Sequence, residues 1–157
     1  MIVAKQSPLI LVDFAIIQSN GIFIADPDPE YDLRKKMGQY PVEIDFGIGE
    51  QERKLYRILS KVSINHPLNE TPQSGYSLFT ESAGFFTFNE DDNLTEQKKQ
   101  EFLQFSALSI CITNMRLYIA NMTSYFPFGK FNFPSIDINA LLLEKAKISN
   151  NMNDNTK

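Results

Sequence analysis

Phe102, Phe105, Leu108, Ile112, Met115, Ile119 and Met122 recur every three or four residues through a stretch that holds neither glycine nor proline. That spacing puts them on one stripe of an α-helix. Asn93 is placed as its N-cap, Glu96 stands at the capping-box position, and the acids Glu90–Asp92 suit the positive end of the helix dipole. The pattern predicts a helix from Asn93 to Tyr125, about eight turns and ~45 Å long. Leu103, Ala107, Ile110, Leu117 and Tyr118 form a second apolar stripe on it. One stripe covers a sheet. The second needs a further partner, and another copy of the chain is the simplest.

Upstream of this helix the apolar period is two. Ile10–Ile17 is apolar on both faces, as in a strand covered from two sides, and Gly21 permits a bulge or turn before Ile22–Ala25. Asp26–Pro41 has no periodicity and several breakers, so it is expected to be a long connection to a non-adjacent strand. Val42, Ile44, Phe46 and Ile48 share one face of a second strand, and Tyr56, Ile58, Ser60, Val62 and Ile64 one face of a third. Tyr76–Phe88 makes a fourth, with Gly84 at a bulge or a close backbone approach. The links between strands two, three and four are short and turn-rich, which predicts an antiparallel meander.

Beyond the helix, Tyr125–Phe133 gathers five aromatics around Pro127 and Gly129, where a turn is normally polar. These rings are either a core built from a loop or the wall of an open groove. A closing helix follows, with Asp137 as N-cap and Ile136 and Leu141 at the two positions of a hydrophobic staple. The expected fold class is α+β: a four-stranded antiparallel sheet backed by a long helix and a short closing helix. A single domain is expected over residues 1–149, with 150–157 a disordered polar tail.

The chemistry expected of this chain is sparse. Its formal charge of −4 argues against a surface for nucleic-acid phosphates. Cys111 is the sole cysteine, so there is no internal disulfide and no cysteine-based metal cluster, and a reducing cytoplasm fits. The apolar run Leu9–Ile17 contains Asp13 and is too short to span a bilayer. The N-x-T triplets at Asn69, Asn93 and Asn121 are read as chance, in the absence of a secretion signal. His66, the sole histidine, precedes Pro67 and reads as a surface-loop residue; Cys111 reads as a buried structural thiol. Asp26, Asp28 and Glu30 alternate with prolines and lack the glycine of a calcium loop, so they read as a solvated turn. No catalytic residue, metal or cofactor is expected. A small-ligand-binding α+β protein is the competing class, with Glu43, Asp45 and Tyr56 as its polar groups.

The stretch "RLYIANMTSYFPFGKFNFPSIDINALL" resembles, without a gap, a segment of the SecB protein-export chaperone family. There a long helix leads through an aromatic Phe-Pro corner into a closing helix. The matching positions are Arg116, Ile119, Met122, Ser124, Phe128, Asn132, Ala140 and Leu141, with Gly129 where the family has a proline. "LYRILSKVSIN" is similar to the family's third strand, "VEIDF" to its second and "AGFF" to the end of its fourth, so the likeness runs in order from about Leu11 to Leu143.

The resemblance implies an ATP-independent holdase, a dimer of dimers that holds unfolded or preprotein polypeptides in hydrophobic grooves without a cofactor. Carried over by position, the groove walls are Tyr40 in the crossover, Val42, Ile44 and Phe46 on the second strand, Phe126, Phe128 and Phe131 at the corner, and Ile138 and Leu142 on the last helix. It implies a motor-docking face for SecA at Asp13, with Glu81 on the same face. The neighbouring acidic positions fall at Ile17 and Phe79, and the Asn-rich tail differs from the tail of export members. Two partner readings follow, export through SecA and service to a dedicated client such as a toxin–antitoxin pair.

Overall fold

Four strands pair in the order β1-β4-β3-β2, all antiparallel, in the computed structural model, which describes residues 1–28, 32–51, 54–68, 70–89 and 93–154. They are β1 (Leu9–Ile24), β2 (Val42–Gln51), β3 (Leu55–Ile64) and β4 (Gly75–Phe88). The expected meander of the last three is present. The chain after β1 crosses to the far edge of the sheet to begin β2, as a long unpatterned connection requires. Glu30, Asn69 and Glu90–Asp92, on which some expectations fall, lie outside the described residues.

Three local expectations are corrected. The connection is not irregular throughout: it holds a short helix, α1 (Leu33–Met37), whose N-cap Asp32 accepts from the Lys35 amide at 3.1 Å. Five residues show only one repeat of helical spacing, Leu33 to Met37, so no period is visible in the sequence. β1 runs unbroken through Gly21, and its bulges lie at Leu11/Asp13 and Ile16/Gln18 instead. Gly21 serves close packing: a Cβ there would lie 2.9 Å from the Met122 methyl at the end of the long helix. Finally, only one face of β1 is covered within the chain. Leu9, Phe14 and Phe23 join the core, while Ile10, Val12, Ile17 and Ile22 stay exposed.

The long helix, α2 (Glu96–Thr123), is slightly shorter than its sequence pattern predicts. Its N-cap is Thr95, which accepts from the Lys98 amide at 3.3 Å, and not Asn93. By length and composition α2 could cross a bilayer, but here its buried stripe lies on the sheet. That stripe changes phase. Leu103 and Ala107 are buried in the first part, then Leu108, Ile112, Met115 and Ile119. The cause is a π-helical stretch, Phe102–Ala107, whose wider turns rotate the later residues about the axis. The two stripes read from sequence therefore exchange members. The surplus surface is Phe105 and Leu117, with Ile110 and Tyr118 half-buried.

Ile58, Val62 and Ile64 of β3 and Leu78 and Phe86 of β4 are fully buried in the same core as the α2 stripe. Each such side chain stabilises by about 1.5–3 kcal/mol relative to exposure. Gly84 is a close approach and no bulge, because a Cβ there would lie 2.5 Å from the Cys111 sulfur. The hydroxyls of Thr80 and Ser82 are buried with no hydrogen-bond partner among the described residues. After the aromatic corner, α3 (Ile138–Asp154) starts as expected, with the Asp137 carboxylate accepting from the Ala140 amide at 3.1 Å. It continues through Asp154, so the first residues of the segment expected to be a disordered tail are helical; residues 155–157 lie outside the described chain.

Candidate functional site

The aromatic corner is fastened by two hydroxyls, one on the sheet and one on α2. Tyr76 opens β4 behind Gly75, and its buried hydroxyl donates to the Gly129 carbonyl at 2.8 Å and accepts from the Phe128 amide at 2.9 Å. Thr123, at the end of α2, donates to the Ile119 carbonyl at 2.7 Å and accepts from the Phe131 amide at 2.8 Å. Rings fill the space between: Phe126 meets Tyr76 edge-on at 5.2 Å, and Phe128 meets Phe23 edge-on at 5.6 Å. The crossover is pinned from the other side. The Tyr40 hydroxyl donates to the Ser74 carbonyl, and the Ser74 hydroxyl donates to the Asp26 carboxylate, each at 2.6 Å. That bond holds Asp26 below the usual carboxylate range.

Between crossover and corner lies a groove of about 260 Å³. Arg34 and Met37 of α1 form one wall, Tyr40 and Val42 the second, Phe128 and Phe131 the third, with Tyr76 among the lining residues. The Arg34 guanidinium sits 5.6 Å from the centre of the Phe128 ring, a cation–π contact at the rim.

Of the nine wall positions expected from sequence, Tyr40, Val42, Phe128 and Phe131 line this one groove. Phe131 is also core, only 9% exposed, whereas Phe128 is half-buried. Phe126 stands behind the groove against Tyr76. Ile44 and Phe46 lie further along β2; Ile44 borders a second cleft, and Phe46 is buried with the Lys145 ammonium 5.7 Å from its ring centre. Ile138 and Leu142 are half-buried on α3, packed against the core. Lys145 of α3 also pairs with Asp45, tying that helix to β2 and holding the Asp45 carboxyl below its ordinary value.

Sequence reasoning missed Arg34, Met37 and Tyr76. The first two went with the unseen helix. Tyr76 carried a signal: a tyrosine on the inward face of a strand needs a partner for its hydroxyl.

The larger cavity, about 760 Å³, is elsewhere. It lies on the sheet face away from α2 and is bordered by Gln18, Glu43, Asp45, Lys61, Ser63, His66 and Phe79. Ile44, Pro67 and Leu68 also border it, so it mixes apolar and charged groups; the smaller groove, bordered in turn by Arg34 and Lys130, is the more aromatic of the two. Asp13 and Glu81 occupy this same outer face, on β1 and β4; Asp13 is exposed, and Glu81 pairs with Lys61 at 3.6 Å.

His66 and Cys111 have structural partners. The His66 ring bonds the Ser77 hydroxyl at 3.0 Å and rests on Phe79 at 5.5 Å, so it anchors its loop and is half-buried. Cys111 is fully buried, and burial pushes its thiol up to about 12. At that value the thiol stays protonated near neutral pH.

No protein-family model matches the chain, and no curated protein matches it in sequence. Among solved structures, the Mycobacterium tuberculosis Rv1957 SecB-like chaperone, in complex with a ChAD peptide from the HigA1 antitoxin, superposes with a TM-score of 0.54 at 15% identity. The match covers 83% of this chain and 91% of that one. The fold is SecB-like. A Streptococcus agalactiae protein of unknown function matches 81% of this chain and 97% of its own at 7% identity, with a TM-score of 0.38, too loose to carry an argument.

Proposed function

We propose that this SecB-like chain is an ATP-independent holdase that captures non-native polypeptides. The observation that carries the reading is the groove of Tyr40, Val42, Phe128 and Phe131, aromatic-walled and open at the surface. An apolar client segment entering it loses water at roughly 25 cal/mol per Å² of apolar area buried. A groove of this volume holds only one or two side chains, so affinity accumulates from many weak contacts along one client. The peptide-bound state of the structural neighbour supports a polypeptide as the ligand class.

Assembly belongs to the same proposal. Phe105 and Leu117 on α2, and Ile10, Val12, Ile17 and Ile22 on β1, leave two apolar surfaces exposed on the single chain. A dimer of dimers would cover them and join several grooves into a longer track. Export through SecA would use the outer face at Asp13 and Glu81. A dedicated client would use the groove alone.

The test is size measurement with and without a chemically denatured client in the absence of nucleotide. A stable co-eluting complex is expected. Free client aggregating as fast as it does without the protein would sink the holdase reading, and a monomer at micromolar concentration would sink the assembly.

A further inference from the structure

The aromatic groove is cationic in a protein that is acidic overall. Arg34 and Lys130 are the charged side chains that border it, and no carboxylate borders it among the described residues. The whole chain carries −4, and the larger cleft on the outer sheet face sets Glu43, Asp45 and Glu70 against Lys61. Both groove cations are exposed, Arg34 on α1 and Lys130 in the corner between Gly129 and Phe131. Neither makes a salt bridge with any described residue, whereas Lys61, Lys98, Lys99, Lys145 and Lys147 all do. Arg34 is instead laid over the Phe128 ring, 5.6 Å from its centre, which holds the guanidinium at the mouth of the groove.

We propose that these two cations set a charge preference: the groove takes apolar client segments flanked by aspartate or glutamate and disfavours those flanked by lysine or arginine. This rests on the holdase reading and deepens it by naming the client class. An apolar client side chain enters between Tyr40, Val42, Phe128 and Phe131, while a carboxylate a few residues along the client meets Arg34 or Lys130. The planar Arg34 fork donates two parallel bonds to a carboxylate, and Lys130 acts as a point charge. A basic flank would meet two like charges with no anion of the groove between them. The net −4 opposes this preference but does not decide it. That charge is spread over the surface and screened beyond about 8 Å at physiological salt, whereas the groove cations touch a seated client. Exposed ion pairs are weak singly, so the preference is graded and not absolute.

The experiment measures, by fluorescence anisotropy on the full chain, the dissociation constants of three unstructured peptides. They share one apolar core and carry glutamate, glutamine or lysine on both flanks; amidated C-termini leave the side chains as the sole carboxylates. At low salt the glutamate peptide is expected to bind about fivefold tighter than the glutamine peptide and at least ~tenfold tighter than the lysine peptide. Raising the salt should close the spread. Arg34→Gln and Lys130→Gln, each at an exposed position, are expected to narrow the glutamate-to-glutamine ratio singly and to bring it to about one together. Equal binding of the three peptides, or tightest binding of the lysine peptide, overturns the charge preference and leaves the holdase reading intact. A glutamate preference that neither single change alters places the carboxylate elsewhere and also overturns it. Binding of none of the three overturns both.

Discussion

Tyr76→Phe removes one oxygen and tests whether the aromatic corner is held as described. The hydroxyl is buried and makes two main-chain bonds, to the Gly129 carbonyl and from the Phe128 amide, at 2.8 and 2.9 Å. A net hydrogen bond is worth about 1 kcal/mol, and leaving its partner unpaired in a buried place costs more. Both freed groups are part-buried, so water reaches them incompletely and the loss is expected at about 2–3 kcal/mol. With a urea m-value of about 2 kcal/mol/M, the midpoint falls by roughly 1–1.5 M at unchanged m. Wild type and variant are compared at equal protein concentration, since assembly would couple to unfolding. The ring contacts to Phe23 and Phe126 survive the change, so the far-ultraviolet spectrum should not move. A loss below about 0.5 kcal/mol would show that the corner does not depend on this hydroxyl, and the account of the groove's third wall would fail.

Three further outcomes are expected. Thr80→Val keeps the shape of a buried side chain while deleting an unpartnered hydroxyl, so urea unfolding should show a gain of about 1 kcal/mol; a loss would mean that the hydroxyl is satisfied. Cys111 should resist a thiol reagent in the native state and react on unfolding, and Cys111→Ser and His66→Ala should both leave client capture unchanged. Asp45 has a folded value below its ordinary 3.8, chiefly through Lys145, so its contribution is fully present above that value and is lost as pH falls through the folded one. Asp45→Asn should therefore flatten the acid limb of a stability-against-pH curve below about pH 4 and leave the neutral range flat.

The architecture was legible where the pattern repeats. Alternation over Val42–Ile48 and Leu55–Ile64 places the inward faces of β2 and β3 correctly, because one face of each is buried and the other is not. The length of α2 is legible for the same reason. Its buried face is not, since a π turn at Phe102–Ala107 is a hydrogen-bonding choice that leaves no mark in residue type. At its start, Thr95 prevailed over Asn93 although both are good caps, a margin too small to read from composition. The groove was legible in part. Its aromatic residues stand out in a turn, but α1 is one turn long, and the fastening role of Tyr76 needs the contact across 53 residues that only the fold supplies.

The central claim is that part of the aromatic corner is a binding wall and not only core, and paired measurements on Phe128→Ala and Phe131→Ala test it most directly. Phe131 is buried, so its truncation should cost roughly 3–5 kcal/mol of stability, as a large-to-small core change does. Phe128 is half-buried at the groove, so its truncation should cost well under 3 kcal/mol. It should also weaken capture of an unfolded client, measured as the dissociation constant for a fluorescent denatured polypeptide, by tenfold or more. Loss of binding in Phe128→Ala that only tracks its loss of stability, or binding at the wild-type level in a folded Phe128→Ala protein, would contradict the account.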